Sequence, residues 1–500
     1  MKTFPDLYIY NTMSRKKEKF EPLHAGKVSI YCCGITTNGF THVGHARAFI
    51  VFDVIVRFLK QLGYKVNFVR NLTDIDDKVI AKAHEEGLSS IELAKKYIHQ
   101  FHEDAKALKL LDPTQEPRAT EHIEEICVMI EKLLKKELAY EVDGEIFYSI
   151  RKFKDYGKLS KKNIEDLESG ARIEIGEKKK DPLDFVLWKP AKEGEPSWDS
   201  PWGRGRPGWH IECSAMSQKY LGKTFDIHGG GADLIFPHHE NEIAQSEGAL
   251  EHIFANYWLH NGLVNFGVEK MSKSLGNIIT VSEFLKNYDA EVMRLWVLSN
   301  HYRSPLGFSH VHVRDAVLGL ERFYKTALLI DKLLQSEEKK GHPEASNEEE
   351  GLLKDISLLE ERFLAAMLDD FNTAKALGSV FEVIRRLNQY LNQKNFTEST
   401  LTREILTKTK TSFDMVSQVL GIFEENPEIK LASLYELLLP ENITKEEVEK
   451  LIQERNQARA ERNWKRADQI RDKLLSQKIV LEDNRGGTTW RVFIENEPSI

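Results

Sequence analysis

Cysteine is scarce in this sequence: only Cys32, Cys33, Cys127 and Cys213 occur in 500 residues. Four scattered thiols cannot build a disulfide framework, so they read as free thiols or metal ligands in a reducing compartment. Also missing is any apolar run near the roughly 20 residues that span a bilayer. The first residues, Met1-Lys2-Thr3-Phe4-Pro5-Asp6, lack the basic-then-apolar layout of a secretory signal, and a cytoplasmic protein with no membrane partner is expected. Nor is there an excess of positive charge; the formal net charge is -8. That balance advertises no nucleic-acid partner and excludes none, because phosphate contact depends on local basic patches.

What remains is a globular composition, 41% hydrophobic and 30% charged, over a length that implies several domains. Lys27–Cys33 reads as a strand ending at Gly34. Gly44–Leu62 carries apolar residues at helical spacing, among them Phe49, Phe52, Val56 and Leu59, and Gly63 ends the helix. Lys65–Arg70 returns as a second strand. Strand, helix, strand is a βαβ unit, which implies a parallel sheet with functional groups at the carboxyl ends of its strands. The expected fold class is therefore α/β. A Rossmann-like catalytic domain (1–120 and 205–260) is split by an insertion (121–204) and followed by a connecting region (261–311). An α-helical bundle (312–440) and a small C-terminal module (441–500) complete the chain, with Ser336–Gly351 as a polar loop. The module, from about Thr444, reads as one basic helix and then a hairpin over Ile479–Ile494.

His42 and His45, with Gly44 between them, open the first helix after the first strand. A helix N-terminus offers free N–H donors and the positive end of a dipole, which suits phosphate. Two histidines there can donate to an α-phosphate as charge develops on it. By themselves they are equally two surface histidines beside a turn. Lys270-Met271-Ser272-Lys273-Ser274 adds two lysines at i and i+3 in a polar loop, able to reach further phosphates as mobile charges. Three other patterns do not hold. Gly203–Gly208 fits G-x-G-x-x-G without a preceding strand; His228-Gly229-Gly230-Gly231 has no nucleophile elbow to serve; His239-Glu240 starts a zinc-protease motif that fails at Ile243.

His238 and Glu242 stand at i and i+4 in a segment that turns helical after Pro237, so they share a face. With Cys33 and Cys213 they would make a tetrahedral zinc site. By residue type alone the set stays open between a metal centre and buried structural cysteines, and Cys32 competes with Cys33.

The H-x-G-H and K-M-S-K-S pair, in this order, resembles the class I aminoacyl-tRNA synthetases. Gly208–Met216, His228–Gln245 and Asn71–Lys78 narrow the resemblance to the cysteinyl-tRNA synthetases. That resemblance implies an enzyme that uses ATP, with Mg2+, to activate cysteine and then charges tRNA(Cys). It implies catalytic roles for His42, His45, Lys270 and Lys273, with Gly44, Met271, Ser272 and Ser274 completing the ATP site. It makes Cys33, Cys213, His238 and Glu242 the ligands of one zinc ion, Cys33 because Gly34 follows it as in the family. Thr73, Trp209 and Asp233 would surround the amino acid. The chain departs from the family in the turn before the histidines, where Thr37-Asn38-Gly39-Phe40 replaces the usual Tyr-Asp pair.

Towards the C-terminus, Arg455, Arg459, Arg462, Lys465, Arg466 and Arg471 stripe a helix containing Trp464. Arginines pair with phosphates, and an aromatic offers a base platform. Together with Leu481–Trp490 this segment resembles the family's anticodon-reading module, so Arg459, Arg462, Trp464, Arg466 and Trp490 are the expected tRNA contacts. The module separates this reading from two others: a related ligase that joins cysteine to an amino-sugar, and a catalytically inactive tRNA- or zinc-binding protein. A monomer is expected.

Overall fold

A computed structural model of the protein describes residues 4–165, 178–266, 269–270, 278–336, 344–393, 396–440, 442–484 and 487–492. The chain opens with a hairpin, β1 (Tyr8–Asn11) and β2 (Lys16–Lys19), and then enters a four-stranded parallel sheet. Its strands are β3 (Lys27–Thr36), β4 (Lys65–Thr73), β9 (Phe225–Gly231) and β10 (Ala255–Asn261), in spatial order β10-β9-β3-β4. Chain order reverses at β3, whose neighbours are β4 on one side and β9 on the other. A crevice at the carboxyl ends follows from that reversal.

The connection from β3 to β4 is α1 (Val43–Gln61). Residues all round this helix are buried, from Phe49 and Ile50 to Val56 and Leu59, because it lies between the sheet and the helical bundle. Gly63, at φ +93, takes the backbone out of the helix at no Cβ cost and into β4. Next come α2 (Asp77–Glu86) and α3 (Ser90–Ala107), started by Asp76 and by a Ser89/Glu92 capping box.

The expected insertion (121–204) holds α4 (Ile123–Lys135) and most of a separate antiparallel sheet, whose last strand lies just past the expected boundary. That sheet runs β5 (Ala139–Val142), β6 (Glu145–Tyr148), β7 (Phe185–Pro190) and β8 (Gly205–Pro207). It has its own apolar core around Ile146, Leu187 and Trp188, which packs on Ile211, Ala215 and Ala244 of the two helices that return to the main sheet. These are α5 (Trp209–Leu221) and α6 (Glu240–Leu250). Beyond β10 lie β11 (Val264–Phe266), β12 (Glu269–Lys270) and β13 (Leu306–Phe308), which make a small sheet beside α7 (Val281–Asn287) and α8 (Ala290–Leu298).

The helical part comprises α9 (His310–Gln335), α10 (Asn347–Ser357), α11 (Leu359–Met367), α12 (Thr373–Leu391), α13 (Thr402–Leu420) and α14 (Pro427–Leu438). The polar stretch expected to loop through Gly351 instead turns helical at Asn347. Ser346 and Glu349 form a reciprocal capping box there, and three glutamates favour the dipole of the first turn. The C-terminal unit also differs from expectation: its basic segment is two helices, α15 (Lys445–Ala460) and α16 (Trp464–Ser476). Arg462 takes a left-handed φ of +56 and the Asn463 side chain accepts from Arg466 N, so the chain is broken and recapped between them. The hairpin β14 (Ile479–Asn484) and β15 (Gly487–Val492) closes the unit. Among the described residues no helix is long and apolar enough to cross a membrane.

Candidate active site

Side chains alternate across a strand, so Cys32 and Cys33 face opposite sides of β3. Cys32 joins the core beneath α1, where burial pushes its thiol up to about 12. Cys33 joins Cys213, Trp258 and Ile243 on the other face. A register shift between Cys32 and Ile35 marks this carboxyl end, where Gly34 N donates to Asn71 Oδ1. A side chain at Gly34 would lie 1.7 Å from the Asn71 carbonyl, so glycine is required by close approach.

Cys33, Cys213, His238 and Glu242 have their ligand atoms within 4.8 Å of one another, and all four residues are buried. Cys33 Sγ lies 3.9 Å from Cys213 Sγ and 3.6 Å from Glu242 Oε1, and His238 Nε2 lies 3.1 Å from the same Oε1. Tetrahedral zinc with sulfur, nitrogen and oxygen ligands needs edges of about 3.3–3.8 Å. The donor set and its spacing fit. His238 and Glu242 meet as expected for i and i+4, although residues Ile235–His239 form a wider turn and the regular helix begins at Glu240.

The charges are mutually arranged. A hydrogen bond from the Cys33 thiol, working against burial, brings Cys213 down to about 6. Burial opposes charge on Glu242 and on His238, yet each overcomes it. His228 and His238 hold Glu242 down to about 2, while Glu242 and Cys213 raise His238 to about 10. Low-pKa acids beside an ionised partner are the form in which thiols and carboxylates bind metal.

A second ring of histidines, given no role by sequence reasoning, surrounds this set. His228 Nε2 is 2.9 Å from Glu242 Oε2, with its ring stacked on Trp258. His239 Nε2 is 3.4 Å from Cys33 Sγ, and its Nδ1 is 2.8 Å from His260 Nε2. His210 Nδ1 meets His238 Nδ1 at 2.9 Å. His228 and His239 with Cys33 and Glu242 form another close group of four. If Cys33, Cys213, His238 and Glu242 hold a metal, His228 and His239 are placed as the outer partners that orient Glu242 and Cys33. The available signal was His228 itself, heading the glycine triplet. Gly229 gives room to Phe52 of α1, 2.1 Å from where its Cβ would be, so the glycines serve packing.

Thr73 ends β4, buried, with Oγ1 accepting from Asn71 Nδ2 and its carbonyl accepting from Thr37 N. Trp209 opens α5, its ring 4.4 Å from that of His238 and covered by Lys78 Nζ. Asp233 follows β9 in a short turn and is exposed. All three sit around the same carboxyl edge.

His42 is the N-cap of α1, and its role is more local than the free-donor reading expected. Its Nδ1 accepts from Gly44 N and His45 N, while His45 Nδ1 accepts from His42 N; the two rings stack at 3.7 Å. Val43 N donates to Ile279 O, so the amides of residues 43–45 are all engaged. The helix terminus therefore has no uncommitted amide at residues 43–45, and any phosphate contact here would fall to the imidazoles. A Cβ on Gly44 would sit 3.0 Å from the His42 ring, which explains the glycine. Lys270 ends β12, paired with Asn265; Met271, Ser272, Lys273 and Ser274 lie outside the described residues.

At the C-terminus the expected contacts separate into two groups. Arg455 is 8% exposed and makes a two-pronged ion pair with Asp483, which Arg459 joins. Trp490 is partly buried against Tyr435 of α14. Trp464 is 59% exposed at the start of α16, with Arg462 and Arg466 also exposed beside it and Arg466 near Glu454.

Residues 19–318 match the model of the tRNA synthetases class I (C) catalytic domain, 362–424 a DALR domain, and 444–491 the cysteinyl-tRNA ligase anticodon binding domain. A cysteine–tRNA ligase of Geobacter sulfurreducens is 50% identical over 97% of this chain and 99% of its own length. The chain belongs to the cysteine–tRNA ligase family. Its likeness to another cysteine–tRNA ligase, from Thermodesulfovibrio yellowstonii, is 48% identity with the same two coverages. Among solved structures, a Mycobacterium tuberculosis methionyl-tRNA synthetase in complex with methionyl-adenylate superimposes with a TM-score of 0.61 at 16% identity, over 81% of this chain and 93% of that one. At that identity the match speaks for the fold, a class I synthetase α/β architecture followed by helices.

Proposed function

We propose that the chain charges tRNA(Cys) with cysteine, in two steps. The cysteine carboxylate oxygen attacks the α-phosphate of ATP, the bond to the β-phosphate breaks, and pyrophosphate leaves. The cysteinyl group then passes to the 3′-terminal ribose of the tRNA. The observation that carries this reading is the buried convergence of two thiols, an imidazole and a carboxylate on the same sheet edge as the histidine-capped helix.

A pocket that works by shape separates ligands differing by one atom by only about 10–200-fold. Cys33, Cys213, His238 and Glu242 would hold one zinc ion, a soft centre that favours a substrate's sulfur over an oxygen. Thr73, Trp209 and Asp233 would orient the amino acid, so that its carboxylate meets the phosphate. His42 and His45 would donate to the α-phosphate oxygens as charge builds there. Lys270 and Lys273, with Gly44, Met271, Ser272 and Ser274 around the nucleotide, would steady the departing pyrophosphate of magnesium-bound ATP. Residues 1–120 and 205–260 would carry activation with the lysine-bearing loop of the connecting region 261–311, 121–204 would flank it, and 312–440 with 441–500 would receive the tRNA. Arg462, Trp464 and Arg466 are the contacts that exposure favours, ahead of Arg459 and Trp490. Every residue named lies in one chain, so a cytoplasmic monomer suffices.

Cysteine-dependent ATP–pyrophosphate exchange, followed by charging of tRNA with cysteine, tests the whole. Both activities are expected, with serine inert. Exchange without charging would move the acceptor to an amino-sugar, and absence of exchange would leave a binding protein.

A further inference from the structure

Arg47 lies on α1 two residues after His45, with only 1% of its surface exposed. Its hydrogen-bond partners are all main-chain carbonyls. Nη1 donates to Leu263 at 2.9 Å, and Nη2 donates to Tyr302 at 3.1 Å and to Ser304. Among the described residues no carboxylate pairs with it. Burial lowers its pKa to about 10, so the charge persists at neutral pH. A buried guanidinium without an anion is a costly way to fill space that an apolar side chain could occupy. What it gathers is therefore informative.

Leu263 is the point where the chain leaves β10 for β11. Around it, Gly262 N donates to Tyr302 O at 2.8 Å and Leu306 N donates to Leu263 O at 3.0 Å. A side chain at Gly262 would strike the Ser304 carbonyl. One guanidinium thus ties the outgoing chain and the 302–304 turn to α1. The chain returns at Ile279, and that end is tied to the same helix by its backbone. Ile279 O accepts from Val43 N, and Val281 N donates to Thr41 O at 2.8 Å. Between these two fixed ends the sequence carries Lys270 and Lys273.

We propose that Arg47 is a positioning residue for the activation step. It sets β11, and with it the paired strand β12 that ends at Lys270, at one distance from His42 and His45, so that the histidine-capped helix and that strand share a common frame. The proposal rests on the function proposed above. From His42 to Arg47 the helix rises only about 7.5 Å, and a displacement of about 1 Å in such a frame can cost about 100-fold in rate.

The test is Arg47→Lys, which keeps the charge but cannot fork to three carbonyls, with Arg47→Met beside it. For Arg47→Lys, pyrophosphate exchange is expected to fall in kcat by about 10–100-fold, while KM for cysteine and zinc content stay as in the native enzyme. Hydrogen exchange at Gly262 and Leu306 should quicken, with the rest of the fold unchanged. Native kcat would overturn the proposal. So would a uniform loss in which cysteine binding, zinc content and thermal stability fall together, the mark of a merely structural residue. If Arg47→Met does not fold, Arg47→Lys alone decides. If the native chain shows no exchange activity, the functional reading has failed. The clamp is then judged on amide protection, and unchanged protection in Arg47→Lys overturns it.

Discussion

The candidate metal pocket and the C-terminal module both concentrate charged side chains, and they do so on opposite terms. In the pocket Cys33, Cys213, His238 and Glu242 are buried, and each polar group leans on another. In the module the best-made pair, Arg455 with Asp483, joins α15 to the hairpin, while Arg462 and Trp464 stand in solvent. Inside a protein uncompensated charge is costly, so a convergent, mutually paired buried set marks a candidate functional site. On a surface the logic inverts: an engaged arginine is scaffold, and an exposed one is available to a partner.

The largest expected effect comes from breaking the pocket. Cys213→Ser should lose metal on dialysis and lower cysteine-dependent exchange by more than about 100-fold, as read by metal analysis and exchange assay. Full metal content in that variant would erase the contrast between the two regions. His228→Gln removes a partner of Glu242 rather than a ligand, and metal affinity should weaken by about 10–100-fold with the fold retained. In the module, Trp464→Ala should raise KM for tRNA by about 5–150-fold, matching the ~1–3 kcal/mol of one base stack, and leave exchange unaltered. Trp490→Ala should do the reverse, costing about 2 kcal/mol of stability, less than a fully buried tryptophan. If the two tryptophans behave alike, exposure is not the criterion.

The smallest effect is in acid. The Arg455 guanidinium, hydrogen-bonded to Asp483, holds that carboxyl well below the usual range. A depressed folded value means the pair's stabilisation is present above the unfolded value of about 3.9 and is lost as pH falls below it. Thermal melts of the native protein and Asp483→Asn should differ at pH 7, and the gap should shrink progressively as pH falls from about 4 toward the depressed folded value; a gap that does not shrink would remove the pair as the module's clasp.

The βαβ unit was legible because strand and helix differ in period. The helix read from Gly44 to Leu62 lies at Val43–Gln61, and its neighbouring strands run slightly past Cys33 and Arg70. What periodicity could not show was geometry that depends on partners far along the chain. Cys32 and Cys33 look alike in sequence and separate only once β3 has a core on each face. His228 was hidden ahead of a glycine triplet whose first member, Gly229, admits Phe52. Arg459 looked like a nucleic-acid contact, and Arg455 like part of the same basic stripe, because their common partner, Asp483, lies beyond the helix that carries them. The break at Arg462 was obscured by an unbroken run of helix-forming residues on either side of Asn463.

The separation of Cys33 from Cys213 and Glu242, 180 and 209 positions along the chain, also sets a timetable. At about 5–20 residues per second, a ribosome needs roughly 10–40 s to travel from Cys33 to Glu242. Through that interval the nascent βαβ hairpin of β3 and β4 has an unpaired edge where β9 will dock, and its thiol has no companions. Capture of an ion by this set would consequently be a late event in biogenesis, coupled to closure of the sheet, because a chain stalled before β9 lacks Cys213's neighbours His238 and Glu242.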